Sequence, residues 1–343
     1  MTLRRGTGRC GPSALHDWVV VLAGGHGRRM RHLTVTPEGI PVPKQYCSLG
    51  RGPSLLHAAL QRARALAPPA RILVTVTREH RQWWRTLSAV MPMSNVLVEP
   101  RQRGTGIGIL HAVVVILRRD PHAFIAVLPS DHFFTSEAVI ESGLVEAARQ
   151  ARRFPREVLL LGFHAQECDP DLGYIVPIDS RAGEPRHVRR FVEKPDAELA
   201  ASLANDGALL NSFIIVGSAQ ALLQLFERRC PGAVRRLRSF AALNPSPGNR
   251  QLSTLFRALP DIDFSRDVMS PDVVRLRVLR IAACGWSDLG TPARLERVLQ
   301  RHATRIAGTL PAQTGCRGAV NLAERISAPL PRARAAPRSN AAA

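Results

Sequence analysis

From Trp18 onward, short β-branched apolar runs alternate with longer stretches of helical period, and this alternation constrains the fold more than any other feature. Runs of four to seven mostly apolar residues fall at 19–22, 72–77, 95–98, 124–128 and 158–162. Strands of this kind are buried on both faces, as in a parallel sheet covered by helices. Helical candidates at 54–67, 105–118 and 137–152 separate them and supply the covering layers. The first half therefore predicts a doubly wound α/β unit. The second half predicts an α+β cap, with strands at 173–179, 187–193, 209–216 and 273–282. Its helices are expected at 195–205, with Pro195 in the first turn, and at 218–229, 232–243 and 292–301.

Domain limits follow from the same pattern: an N-terminal extension at 1–16, one catalytic-sized unit at 17–303, and an Ala/Pro/Arg-rich tail at 304–343 whose composition favours disorder. A hydrophobic content of 45% over 343 residues can bury one sizeable core or two modest ones. No apolar run reaches the roughly 18 to 20 residues that span a bilayer. Arg4-Arg5 precedes too short an apolar segment to read as an export signal, so a cytoplasmic location is expected. The six cysteines show neither a Cys-x-x-Cys pair nor a nearby His at ligand spacing, which argues against a zinc site and a disulfide framework. A net charge of +20 invites a nucleic-acid reading. The arginines are dispersed and aromatics make up only 5%, so anionic small substrates account for the charge at least as well.

Of the 47 basic residues, only Lys44 and Lys194 are lysines. A lysine ammonium is a compact point charge able to sit among several phosphate oxygens, unlike the planar fork of arginine. Both are candidate phosphate ligands, with an Arg-favouring codon bias as the alternative. Strand 19–22 runs into Gly24-Gly25-His26-Gly27-Arg28-Arg29, where glycines let backbone N–H groups approach phosphate oxygens. The Lys-Ser/Thr ending of a Walker loop is absent, and Met30 stands where a dinucleotide fingerprint has its third glycine. Asp131 lies at the carboxyl end of strand 124–128, and Asp288 falls between a strand and a helix. Two carboxylates plus substrate phosphates suit Mg²⁺, and a helix N-cap is the alternative for each.

The motifs Leu22-Ala23-Gly24-Gly25, Arg29-Met30, Pro43-Lys44-Gln45, Val98-Glu99-Pro100, Pro129-Ser130-Asp131-His132, Gly173-Tyr174-Ile175, Glu193-Lys194-Pro195, Asn211-Ser212 and Trp286-Ser287-Asp288-Leu289-Gly290 occur in this order. Together they resemble the sugar-phosphate nucleotidyltransferases, and most of all the bacterial mannose-1-phosphate guanylyltransferases. The resemblance implies a Rossmann-like, GT-A-like mixed sheet and Mg²⁺-dependent transfer of a nucleotidyl group from GTP to mannose 1-phosphate. Other pairings of UTP, dTTP or ATP with glucose 1-phosphate, and a non-catalytic nucleotide-sugar-binding homologue, are the alternatives. It implies that Arg29 and Lys44 act on the triphosphate, that Gly24, Gly25 and Gly27 form its loop, and that Glu99, Gly104 and Thr105 lie near the base. On the sugar-phosphate side it implies Gly173, Glu193, Lys194 and Asn211, with Asp131 and Asp288 on the metal. The implied partners are these two substrates, with no specific nucleic acid and no membrane; a homodimer is compatible. Leu172 and Leu210 depart from the pattern on the sugar side. Gly106 and Ile107 depart after Thr105, where a loosened helix start is expected.

Overall fold

The computed structural model describes residues 15–50, 52–165, 168–178, 184–243, 249–301 and 320–322. Its strands are β1 (Asp17–Ala23), β2 (Ile72–Thr77), β3 (Val96–Glu99), β4 (Phe124–Pro129), β5 (Val158–His164), β6 (Gly173–Pro177), β7 (Arg186–Glu193), β8 (Leu209–Ser218) and β9 (Leu276–Arg280). The helices are α1 (Leu55–Ala63), α2 (Arg81–Trp84), α3 (Gly104–Arg119), α4 (Glu137–Arg153), α5 (Ala197–Asn205), α6 (Ala219–Arg229), α7 (Pro231–Leu243), α8 (Asn249–Ala258) and α9 (Pro292–Arg301). Ser54, Asp196 and Ser218 start α1, α5 and α6 by accepting hydrogen bonds from the backbone N–H three residues on.

All nine strands belong to one sheet ordered β3-β2-β1-β4-β8-β5-β9-β7-β6, and β6 also pairs with β8. The first four strands are mutually parallel, as expected of a doubly wound half. Strand β1 shows why: Val19, Val21 and Ala23 enter one core, and Trp18 and Val20 the other. Side chains alternate along a strand, so a continuous apolar run buries both faces. Helices α1 and α4 cover one face, and α3, α6 and α7 the other.

The expected α+β cap on a doubly wound unit is corrected here. Strands β8, β5, β9, β7 and β6 close on themselves through the β6–β8 pairing, a five-stranded barrel-like ring continuous with the parallel part. The Rossmann-like layout therefore extends only to β3-β2-β1-β4. Antiparallel β8 fits against β4, and the later strands pair with β8 and β5 instead of lying on top of them.

Two local expectations also change. Strand β9 begins later than residue 273, because Pro271 opens a tight helical turn over Ser270–Arg275 whose buried Asp272 pairs with Arg228 at 2.9 Å. Helix α8 is not among the expected elements, although Leu252, Leu255, Phe256 and Leu259 recur at one face's spacing and Phe256 is fully buried. From the region read as a tail, Val320 and Leu322 are buried and bracket a backbone pairing with Ser48. Residues 302–319 and 323–343 lie outside the described residues. No helix among the described residues is long and apolar enough to cross a membrane.

Candidate active site

Ligands in open α/β sheets bind beyond the carboxyl ends of the strands where the strand order reverses. That point lies here between β1 and β4. A cavity of about 340 Å³ opens there, bounded by the ends of β1, β3 and β4 on one side and by β6, β7 and β8 on the other. Of the site residues expected from the motifs, Gly24, Gly25, Arg29, Glu99, Gly104, Thr105, Asp131, Gly173, Glu193, Lys194, Asn211 and Asp288 all line it. Gly27 and Lys44 line an adjoining recess of about 210 Å³, shared with Arg29, Asp131 and Asp288.

The glycine loop is shaped by Gln45, whose amide nitrogen donates to the carbonyls of Ala23 at 2.8 Å and Gly25 at 3.0 Å. In a trans peptide the N–H points opposite to its C=O, so the amides of Gly24 and His26 turn away from Gln45. Gln102 donates to the Gly24 carbonyl at 3.2 Å. Neither glutamine is singled out for this work by the motifs. Arg29, half exposed, reaches Asp171 across the cavity at 3.4 Å.

Beneath the loop lies Lys44, only 5% exposed. Its Nζ meets Asp131 Oδ2 at 2.9 Å and donates to the carbonyls of Asp288 at 2.6 Å and Leu289 at 3.1 Å. Three acceptors therefore engage an ammonium that has three donors. Leu289 adopts a positive φ of 49°, costly for a side-chain-bearing residue, and this backbone turn presents consecutive carbonyls to one nitrogen. Lys194 (φ 46°) and Phe213 (φ 56°) are the other non-glycine residues at positive φ among those described, and both also line the cavity.

Asp131 and Asp288 are not helix caps. Asp288 Oδ1 instead accepts from Gly290 N at 2.9 Å, and Thr291 caps α9 through Arg294 N. Burial works against ionising Asp131, yet the Lys44 ammonium and neighbouring His132 hold its pKa below the usual carboxylate value. Burial lowers the His132 pKa to about 4, leaving the ring neutral near pH 7. The Trp286 indole N–H donates to His132 Nδ1 at 3.1 Å, which places the ring proton on Nε2.

Arg294, in the first turn of α9, is 7% exposed and belongs to none of the motifs. Its Nη1 lies 2.9 Å from both oxygens of Asp288, while Nε and Nη2 fork onto Asp169 at 2.7 and 2.5 Å. Burial opposes its charge, but these two carboxylates raise its pKa above the ordinary arginine value.

At the end of β3, Glu99 is 3% exposed and burial pushes its pKa up to about 8. Its oxygens rest against glycines: a Cβ on Gly108 would sit 2.8 Å from Oε1, and one on Gly24 3.8 Å from Oε2. Thr105 is not an N-cap, since Arg103 precedes α3 at that position; its hydroxyl accepts from Phe264 N at 3.0 Å. The expected loosening after Thr105 is corrected. Gly106 N donates to the Ile262 carbonyl at 2.9 Å, and a Cβ on Gly106 would lie 2.5 Å from Ile262 Cγ2. Gly104, at φ 78°, would place a Cβ 2.2 Å from the same carbonyl oxygen. Close backbone approach is what the glycines permit. Gly106→Ala is expected to destabilise the fold by about 1–3 kcal/mol through overpacking, read from chemical denaturation.

Across the cavity, Glu193 and Lys194 sit 4.0 Å apart at the end of β7. Burial raises the Glu193 pKa, with Lys194 opposing. Asn211 Oδ1 accepts from Phe213 N at 3.0 Å, fixing the amide beside Gly173.

Residues 18–304 match the model of the nucleotidyl transferase family. The chain is 27% identical over 295 residues to a mannose-1-phosphate guanylyltransferase of Escherichia coli, covering 81% of this chain and 59% of that protein. It is 32% identical over 218 residues to the xanthan biosynthesis protein XanB of Xanthomonas campestris pv. campestris (strain B100), covering 62% of this chain and 44% of that one. The chain thus spans about three fifths or less of the length of these curated relatives. A crystal structure described as a mannose-1-phosphate geranyltransferase from Thermus thermophilus superposes with a TM-score of 0.71 at 26% identity, covering 83% of this chain and 79% of that one. A family match that runs from β1 through α9 takes in every element bordering the cavity, and the chain belongs to the nucleotidyl transferase family.

Proposed function

We propose that the cavity transfers a nucleotidyl group from GTP to mannose 1-phosphate, giving GDP-mannose and pyrophosphate in the cytoplasm. The observation that carries this reading is the gathering of two sets of anion-binding groups around one cavity: the glycine loop with Arg29 on one side, and Lys194 with Glu193 and Asn211 on the other. Two phosphate-bearing substrates held this way place the sugar-phosphate oxygen in line with the α-phosphorus. An oxygen–phosphorus bond forms as the bond to pyrophosphate breaks, with no covalent enzyme intermediate. The protein's task is to orient two anions and offset charge growing on the leaving group. The similarity to the Escherichia coli guanylyltransferase favours this pairing over glucose 1-phosphate with another nucleotide.

Glu99 supports guanine in particular. Guanine presents the N1–H and N2 amino donors side by side, and one carboxylate can accept both. Uracil and thymine offer a single N–H between two carbonyls, which a carboxylate repels. Because burial raises the Glu99 pKa to about 8, guanine binding near pH 7 is expected to expel a proton. Calorimetry of GTP binding in buffers of different ionisation enthalpy reads that release, and Glu99→Gln removes it. The same raised pKa means the folded state holds a proton that the unfolded chain gives up. Stability contributed by Glu99 is therefore greatest below its ordinary value of 4.5 and is lost as pH rises to about 8. Melting temperatures of Glu99→Gln measured across that window should fall less with pH than those of the parent.

Asp131 and Asp288 fit a hard divalent cation such as Mg²⁺: both are oxygen donors on one cavity wall. No cluster of three or more acidic, His or Cys residues suited to a metal occurs among the described residues. A site of two carboxylates completed by water and phosphate oxygens matches what Mg²⁺ prefers. When bound, the cation would offset charge on the triphosphate; Lys44 and Arg294 hold the two carboxylates in place around it.

A matrix of GTP, ATP, UTP and dTTP against mannose and glucose 1-phosphates, read by pyrophosphate release, tests the reading. GTP with mannose 1-phosphate should turn over fastest. A different best pair would reassign the substrates, and silence across the matrix with retained nucleotide-sugar binding would indicate a non-catalytic homologue.

A further inference from the structure

We propose that Arg294 is a positioning residue that couples the sugar-side loop before β6 to Asp288, so that a sugar phosphate and a divalent cation strengthen each other's binding. The inference rests on the proposed function for the identity of those two ligands, and on the geometry for the coupling itself. Arg294 is 7% exposed and divides its guanidinium between two carboxylates from distant parts of the chain. One, Asp288, faces the cavity; the other, Asp169, anchors the loop that leads into Gly173.

Asp169 is held on every side. Its Oδ1 accepts from Asp171 N at 3.0 Å, its own N–H donates to the Tyr174 hydroxyl at 2.8 Å, and that hydroxyl donates back to its carbonyl at 3.2 Å. Tyr174 is fully buried and directly follows Gly173 in β6. A displacement of Gly173 therefore reaches Asp169 through a tyrosine that cannot pivot, and reaches Asp288 through a planar fork that cannot rotate at one carboxylate without misaligning the other. Asp171, on the same loop, lies 3.4 Å from Arg29, which joins the loop to the nucleotide side. From Tyr174 through Asp169 and Arg294 to Asp288 the contacts are contiguous and each is a directional hydrogen bond, which is the physical requirement for coupling.

Coupling of this kind is reciprocal. The test measures Mn²⁺ binding by electron paramagnetic resonance, with and without mannose 1-phosphate and in the absence of nucleotide. The parent, Arg294→Met and Asp169→Asn are compared after their melting transitions show that each is folded. In the parent, mannose 1-phosphate should tighten Mn²⁺ binding about tenfold. In both variants the enhancement should shrink to about twofold or less. An enhancement that survives in a folded variant, or one absent from the parent, overturns the proposal. If Arg294→Met does not fold, Asp169→Asn, which leaves the Arg294–Asp288 contact in place, decides the matter. Lack of pyrophosphate release by the parent with every substrate pair would sink the proposed function alone, since the binding measurement needs no turnover.

Discussion

Lys44→Arg is expected to lower kcat by about a hundredfold or more, the loss associated with removing one preorganised charge from an active site. Charge is conserved in this substitution, so the effect must come from shape. The ammonium lies within hydrogen-bond reach of Asp131 Oδ2 and of the carbonyls of Asp288 and Leu289, three acceptors converging on one point. A guanidinium spreads its donors over a plane and cannot meet them together. In a site that leaves the side chain 5% exposed, the larger head also has no free volume to enter. Lys44→Met separates positioning from direct phosphate binding. It leaves Asp131 without its cation, a loss moderated because that side chain is 35% exposed, so about 1–2 kcal/mol of stability should go. Removal of Lys44 should also let the Asp131 pKa rise toward its ordinary value, which burial favours. The depressed pKa supplies stability above 3.8 that is lost as pH falls through the folded value, so the variant should lose less stability in acid than the parent does. A variant that loses kcat but keeps its KM for the nucleotide would assign Lys44 to holding the carboxylates. One that loses nucleotide affinity as well would place the ammonium on the triphosphate, which requires it to exchange a protein acceptor for a phosphate oxygen.

The parallel half of the sheet was legible because each of its strands is a continuous apolar run, and such runs have few alternative uses in a chain with regularly spaced helical segments. Helix α9 was legible in the same way, at residues 292–301. Closure of the ring was not, because β6, β7 and β9 have unremarkable local patterns and only the long-range β6–β8 pairing distinguishes a ring from a cap. The site divided along a similar line. Gly24, Asp131, Glu193 and Asn211 stand in ordered motifs, and each lines the cavity. Gln45, which stands in a motif but is not among the expected site residues, and Arg294, which stands in none, carry as much of the geometry. Gln45 sits beside a lysine that draws the attention, and Arg294 is one of 45 arginines, with nothing in its local sequence to mark it as a buried fork. Asp169 and Asp171 stand two residues apart in a chain of net charge +20, but Asp288 joins them only in the fold, where half-buried carboxylates require a cation. Gly106 shows the opposite error, where a small residue reads as looseness until the packing partner, Ile262, is known.

Asp131→Ala is expected to reduce metal-dependent turnover by about a thousandfold while leaving most of the fold intact. The side chain lies beyond β4 in the loop that carries His132, and its backbone neighbours are fixed independently: Ser130 N donates to the Leu22 carbonyl at 3.1 Å and Phe133 N to that of Ser287 at 2.9 Å. Removing the carboxylate therefore deletes charge without unpinning the loop. What it leaves behind is Lys44, whose two carbonyl contacts persist but whose countercharge is gone. The buried ammonium then gains an incentive to recruit a phosphate oxygen, so nucleotide affinity should be retained or increased as turnover falls. Asp288→Ala makes the useful contrast, since it frees Arg294 Nη1 and leaves Lys44 paired with Asp131. If both variants lose turnover to a similar degree, fail to recover it at high Mg²⁺, and keep cooperative melting transitions, the two carboxylates act together at one cation. A loss of folding in Asp131→Ala would break the assignment by making the carboxylate a structural partner of Lys44, whereas full recovery of turnover at high Mg²⁺ would keep it as a ligand whose loss only weakens cation affinity.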